Sequence, residues 1–282
     1  MEEGNKIAYF TYRDTLFFIQ KMPGMSNAKR FTRSILFVFS LLVAGTMSLR
    51  AQGIRIAAAA NVQFVIRELA TDFEKQTGTV AELIIESSGK LTAQIEHGAP
   101  FDIFVSADTN YPIELYKKGF AVEKPAVYAM GGLVLWTLRN DINLSTGTQV
   151  LLSDRVQKIA IADPALAPYG AATVTFLKQS GIYEQVKDKL VYGQSISQVN
   201  QFIVSGGADI GFTAKSIVLA DEMKGKGVWT PLDSTLYAPI AQAAVLLTYG
   251  RDHHPAAAAA FYRYLYSQQA RVLFLKYGYL VE

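Results

Sequence analysis

Short apolar runs and amphipathic stretches alternate along most of this chain. Runs at 54–58, 80–85, 101–106, 133–138, 158–162, 210–213 and 242–248 have the length and apolar content of strands. Between them, Val62, Val65, Ile66, Leu69 and Phe73 recur at helical spacing. Leu91 and Ile95 stand four apart before Gly98, a position that suits a helix-terminating glycine. Val174 and Leu177 precede Gly181 in the same way, and Val199, Phe202 and Ile203 precede Gly206-Gly207. Two helices, about 255–267 and 270–276, close the chain. Strands alternating with helices predict an α/β fold with mainly parallel sheet. The roughly 230 residues with this pattern are too many for one sheet at this spacing, and the pattern breaks near 129–132 and 237–239. The expected organisation is two α/β lobes joined by two crossing segments. The first takes 53–130 plus 238–282, and the second is the continuous insert 131–237.

The N-terminus follows a different pattern. Ser34 to Leu49 is a 16-residue stretch without a charge, preceded by Lys29, Arg30 and Arg33 and followed by the small residue Ala51. As a helix it reaches about 24 Å, short of a hydrocarbon core of about 30 Å. A basic segment, an apolar segment and a small-residue exit describe a secretory signal peptide, with cleavage expected after Ala51. Residues 1–52 are therefore read as a signal peptide with an upstream extension, and Met25 is an alternative start that gives it ordinary length. The uncleaved alternative is a membrane anchor.

Removing this segment changes the charge. The whole chain has 27 Lys and Arg against 24 Asp and Glu. Residues 1–52 hold seven of the basic and three of the acidic residues, which leaves 20 against 21. A near-neutral chain lacks the electrostatic footprint of a nucleic-acid binder. There is no cysteine, which excludes disulfides, thiolate metal sites and lipid attachment at a cleavage-site cysteine. Only three histidines are present, too few for a histidine-rich metal centre. An exported, untethered protein of this kind is expected in the periplasm.

In α/β sheets ligands bind beyond the carboxyl ends of strands, where helix N-termini present unpaired amides. Four strand-to-helix turns here are polar without being charged. Ala59-Ala60-Asn61 offers an expected N-cap, Asn61, among small residues. Ser87-Ser88-Gly89-Lys90 offers a serine, a glycine that permits close approach and free amides suited to an anion. It lacks the upstream glycine of a phosphate loop, and Lys90 reads as a solvated side chain. The loop 163–171 is stiffened by Pro164 and Pro168 and delivers Tyr169 to a helix start, by its amide or its hydroxyl. Ser195-Ile196-Ser197-Gln198 opens a further helix, capped by Ser195 or Ser197. Four such turns in one chain point to one shared anion site.

Catalytic readings lack residues. No nucleophile elbow or zinc-protease motif is present. His253 and His254 read as surface residues beside Pro255, and His97 as a cap for helix carbonyls. Asp102 and Asp108 are the nearest approach to a carboxylate pair, but 107–109 reads as a turn that separates them.

With these turns in hand, the chain resembles the molybdate/tungstate-binding proteins of bacterial ABC transporters, a branch of the class II periplasmic binding proteins. The resemblance covers nearly all of 54–282. It rests on IRIAAAANV, ESSGKLTAQIEHGAPFDIFVSAD, IADPALAPYGAAT and SISQVNQFIVSGGADIGFTAKS. It implies a two-lobed fold with the ligand in the cleft, no catalytic activity, no cofactor, a monomer, and delivery of a tetrahedral dianion to a permease and its ATPase. Its contact turns fall on Ala60 and Asn61, Ser88, Tyr169, and Ile196 or Ser197. Ala60 stands where many members have a serine, so Asn61 is expected to supply a side-chain donor. Ala214 stands where some members have a tyrosine, so Tyr169 is expected to compensate. The alternatives are another tetrahedral oxyanion such as sulfate or phosphate, or an exported enzyme or sensory domain for an anionic small molecule.

Overall fold

The computed structural model describes residues 53–281. The signal-peptide reading for 1–52 lies outside them. Two five-stranded sheets form the framework.

The first sheet contains β1 (Ile54–Ala59), β2 (Ala81–Glu86), β3 (Ile103–Val105), β4 (Ala126–Gly131) and β10 (Ile240–Leu246), in the order β2-β1-β3-β10-β4. The second contains β5 (Leu133–Thr137), β6 (Ile159–Ala162), β7 (Leu190–Gly193), β8 (Ile210–Ala214) and β9 (Val228–Pro231), in the order β7-β6-β8-β5-β9. The two sheets share one plan. Three parallel strands are followed by a reversed strand, β10 or β5, and then a strand antiparallel to it. Four of five strands in each sheet thus point the same way. Each reversed strand is the one with which the chain enters that sheet from the other: β5 directly after β4 across Gly132, and β10 after β9.

The helices that matter for the site leave the carboxyl ends of the parallel strands. They are α1 (Gln63–Thr77), α2 (Ser88–Glu96), α4 (Pro168–Gln179) and α6 (Ile196–Val204). The others are α3 (Asn110–Lys117), the one-turn α5 (Tyr183–Val186) and α7 (Lys215–Val218), and α8 (Thr248–His253), α9 (Pro255–Tyr264) and α10 (Gln268–Lys276). The apolar stripe predicted for the first helix is its buried face: Val65, Ile66, Leu69 and Phe73. Phe73 meets the ring of Phe261 on α9 edge-on at 5.0 Å, which docks the C-terminal helices onto the first sheet's helix layer. Gly98, Gly181 and Gly206 end helices in the left-handed region, as their spacing required.

Three strands escape the sequence reading: β4, β7 and β9. Several details also differ from it. His254 is not a free surface residue, because its Nδ1 lies 2.7 Å from Oδ1 of the fully buried Asp102. The other oxygen of Asp102 accepts the Arg55 amide at 2.6 Å, so this carboxylate ties β1 to the α8–α9 junction. Asp108 accepts the Tyr111 amide in the first turn of the next helix and the Ser106 hydroxyl. The two aspartates therefore have separate structural partners. His97 does as expected, placing Nδ1 2.7 Å from the Ala93 carbonyl.

Candidate functional site

The carboxyl ends of four parallel strands, an adjacent pair from each sheet, converge on one small cavity. After β1 comes a single 3₁₀ turn, Ala60–Val62, and after β2 comes α2. After β6 comes α4, and after β7 comes α6. Ala60, Asn61, Ser87 and Ser88 line the cavity from the first sheet's side, and Pro168, Tyr169 and Ile196 line it from the second's. Ala59, Ala107 and Ala167 complete the walls. About 10 Å³ is open to the centre of a water-sized sphere, so the occupant must be compact and must touch every wall. Roomier clefts on the surface, one of about 680 Å³, lie away from all four turns.

None of the lining side chains carries a charge. The site offers hydrogen-bond donors instead. Ser88, Tyr169 and Ile196 occupy the first turns of α2, α4 and α6, where intrahelical acceptors do not exist. Their amides find no other acceptor among the turns and caps. These helices have 9, 12 and 9 residues, long enough for each to add partial positive charge at this end. Gly170 explains how α4 starts so close to β6. A Cβ there would lie 2.2 Å from the Ala162 carbonyl oxygen, so only glycine permits the approach.

The hydroxyl of Ser88 is held in a definite orientation. It accepts the Ala107 amide at 3.0 Å, so its own hydrogen is free to donate. Lys90 lies outside the cavity wall: its ammonium reaches Gln194 across the cleft and lies 3.6 Å from Glu86.

Two sequence expectations are corrected. Asn61 is neither an N-cap nor a side-chain donor to the cavity. It sits inside the 3₁₀ turn, and its Nδ2 donates to Gln242 Oε1 at 2.7 Å and to the Tyr279 hydroxyl at 3.2 Å. What Asn61 leaves toward the cavity is its main chain. Ser197 is not on the wall at all. Its hydroxyl donates to Gln63 Oε1 at 3.1 Å, and the cap of α6 is Ser195, which accepts the Gln198 amide. Of the pair proposed from the sequence, the cavity takes Ile196.

The phenol oxygen of Tyr169 belongs to the same cluster as the Asn61 side chain. It accepts from Gln242 Nε2 at 3.2 Å, while Gln242 Oε1 accepts from both Asn61 and the Tyr128 hydroxyl. Ser216 of α7 and Tyr279 donate to the Asn61 carbonyl at 2.8 and 3.1 Å. This buried cluster behind the cavity ties both sheets together where the chain crosses between them. Burial pushes the phenols of Tyr128, Tyr169 and Tyr279 well above the usual tyrosine range, so the cluster is uncharged. The sequence reading missed Gln242, Tyr128 and Tyr279. The one available signal was a glutamine inside the apolar run PIAQAAVLL.

The cleft is shut in this structure. Gly89 donates its amide to the Leu166 carbonyl at 2.9 Å, and the Tyr111 hydroxyl reaches the Ala165 carbonyl at 3.2 Å. Among the described residues no helix is long and apolar enough to cross a membrane. No group of three or more His, Asp or Glu among them is placed to hold a metal ion.

Comparison with known proteins agrees with this geometry. Residues 54–280 match the family model for bacterial extracellular solute-binding proteins. The chain is 40% identical over 244 residues to the molybdate-binding protein ModA of Rhodobacter capsulatus, covering 86% of this chain and 94% of that one. It is 38% identical over 242 residues to the protein of the same name from Azotobacter vinelandii, covering 84% and 94%. Among solved structures, the periplasmic molybdate-binding protein of Azotobacter vinelandii superposes with a TM-score of 0.76 at 31% identity, covering 81% of this chain and 99% of that one.

Proposed function

We propose that this chain, which belongs to the bacterial extracellular solute-binding protein family, binds molybdate or tungstate in the periplasm and delivers it to an ABC importer. The observation that carries this reading is a cavity of neutral donors with no charged or acceptor-only wall. Molybdate is a compact tetrahedral dianion, fully deprotonated at neutral pH, so all four oxygens only accept. The names of the relatives point the same way.

The proposed contacts are the main chains of Ala60, Asn61, Tyr169 and Ile196 and both the amide and hydroxyl of Ser88. Each bond is charge-assisted, and three helix starts add favourable potential. Micromolar to nanomolar binding needs about −8 to −12 kcal/mol. Six bonds of roughly 1.5–3 kcal/mol supply that after the costs of desolvation and closure. The metal is held only through its oxygens, with no cofactor and no catalytic step. The lobes at 53–130 with 238–282 and at 131–237 are proposed to close on the ion about the two crossings. The closed form is proposed to dock, as a monomer, on the permease whose ATPase drives uptake.

Phosphate fits less well. At neutral pH it retains a proton that wants an acceptor, and the cavity wall holds no carboxylate. Asp163, the one acidic residue on the four turns, accepts the Ala165 amide and lies off the wall. Equilibrium dialysis against molybdate, with bound molybdenum measured by elemental analysis, tests the reading. One molybdenum per chain, displaced by tungstate, is expected, and no retained molybdenum would refute it.

A further inference from the structure

Ser87 does not fill the role its position suggests. It is the N-cap of α2, where a serine usually accepts a first-turn amide, yet its side chain makes no capping bond. The residue is 2% exposed and its Oγ has no hydrogen-bond partner within the protein. Buried hydroxyls are nearly always paired, so an orphan in the shut cleft is a group that wants a partner there. Among the described residues the other unpaired buried side-chain atoms belong to Glu68 and Asn200, neither of which lines the cavity. Ser87 does line it.

The donor inventory of the wall makes this orphan informative. Ala60 has no side-chain donor, Asn61 spends its amide hydrogens on Gln242 and Tyr279, and the Tyr169 hydroxyl lies in the buried cluster behind the cavity, where it accepts from Gln242. The wall's side-chain donors outside that cluster are the hydroxyls of Ser87 and Ser88. A tetrahedral dianion has more lone pairs than the free amides and Ser88 can meet.

We propose that Ser87 Oγ is a further donor to the bound oxyanion, so that two consecutive hydroxyls of one turn take the place of side-chain donors the first turn lacks. This rests on the molybdate reading above. The hydroxyl that finds no protein partner in the shut cleft is then satisfied by the ligand.

The proposal predicts an effect on binding without one on the ligand-free fold. Ser87→Ala removes no capping bond, so the melting temperature without ligand should stay at the parent value. Affinity for sodium molybdate, measured by calorimetry, should fall by about 10- to 150-fold, the worth of one charge-assisted bond. Ser87→Gly, which also lacks the hydroxyl, should lose affinity similarly. Unchanged affinity in both variants, alongside a loss in Ser88→Ala, would overturn the inference and leave the molybdate site standing. That result would mean the hydroxyl is served by a trapped water. Failure of the parent protein to bind molybdate would overturn the ligand reading itself, and this inference with it.

Discussion

Gly89 separates binding by closure from binding by contact. It is the second residue of α2, beside the cavity but not on its wall. A Cβ placed there would lie 2.8 Å from the Tyr111 hydroxyl, 3.0 Å from the Leu166 carbonyl oxygen and 3.2 Å from the Leu166 Cα. Tyr111 is a side-chain end and can swing aside. Leu166 is main chain, in a loop pinned by Pro164 and Pro168, and belongs to the opposite lobe. Gly89→Ala therefore obstructs the shut cleft while leaving every proposed ligand contact in place. Overpacking of this kind costs about 1–3 kcal/mol, which converts to roughly 5- to 150-fold weaker molybdate binding. In the open form the methyl meets no opposing lobe, and alanine is the better helix former by up to about 1 kcal/mol. Calorimetric titration should therefore show weaker binding, and thermal melting without ligand should show equal or greater stability. Parent-like affinity in Gly89→Ala would refute closure between α2 and the 163–168 loop as part of binding.

Four other outcomes are expected. Ser88→Ala loses both the oriented hydroxyl and the acceptor of the Ala107 amide, so calorimetry should show about 10- to 150-fold weaker binding and melting should show a stability loss of about 1–3 kcal/mol. Tyr169→Phe keeps the main-chain amide and removes the acceptor of Gln242 Nε2. Its stability should fall by about 1 kcal/mol while molybdate affinity changes less than it does in Ser88→Ala. The wall carries no carboxylate, histidine or lysine, and Tyr169 is held neutral by burial, so affinity should be flat from about pH 6 to 9. Because the buried phenols are raised above the unfolded value of about 10, their contribution to stability is fully present below that pH. It is lost as pH rises beyond it, which a pH series of melting curves checks.

Much of this architecture was legible because its central strands are apolar throughout and its helix faces are regular. The three strands missed, β4, β7 and β9, all stand at sheet edges. An edge strand packs against only one neighbour and carries exposed positions, such as Val127, Tyr192 and Val228, so its apolar pattern is weak. The four ligand turns were visible because their composition is local: small and polar residues at strand ends. Side-chain direction was not. Whether Asn61 faces the cavity depends on Gln242 and Tyr279, some 180 and 218 positions away. Ser197 likewise turns to Gln63, 134 positions back. The seclusion of His254 was hidden for the same reason, since its partner Asp102 lies on a distant turn.

The central claim is that a cavity of uncharged donors selects a compact, fully deprotonated tetrahedral dianion of one size. Calorimetric titration of the purified protein with molybdate, tungstate, sulfate and phosphate tests it most directly. Molybdate and tungstate are expected to bind one per chain with micromolar or tighter affinity, with sulfate far weaker and phosphate weaker still. Sulfate binding as tightly as molybdate would contradict the assignment.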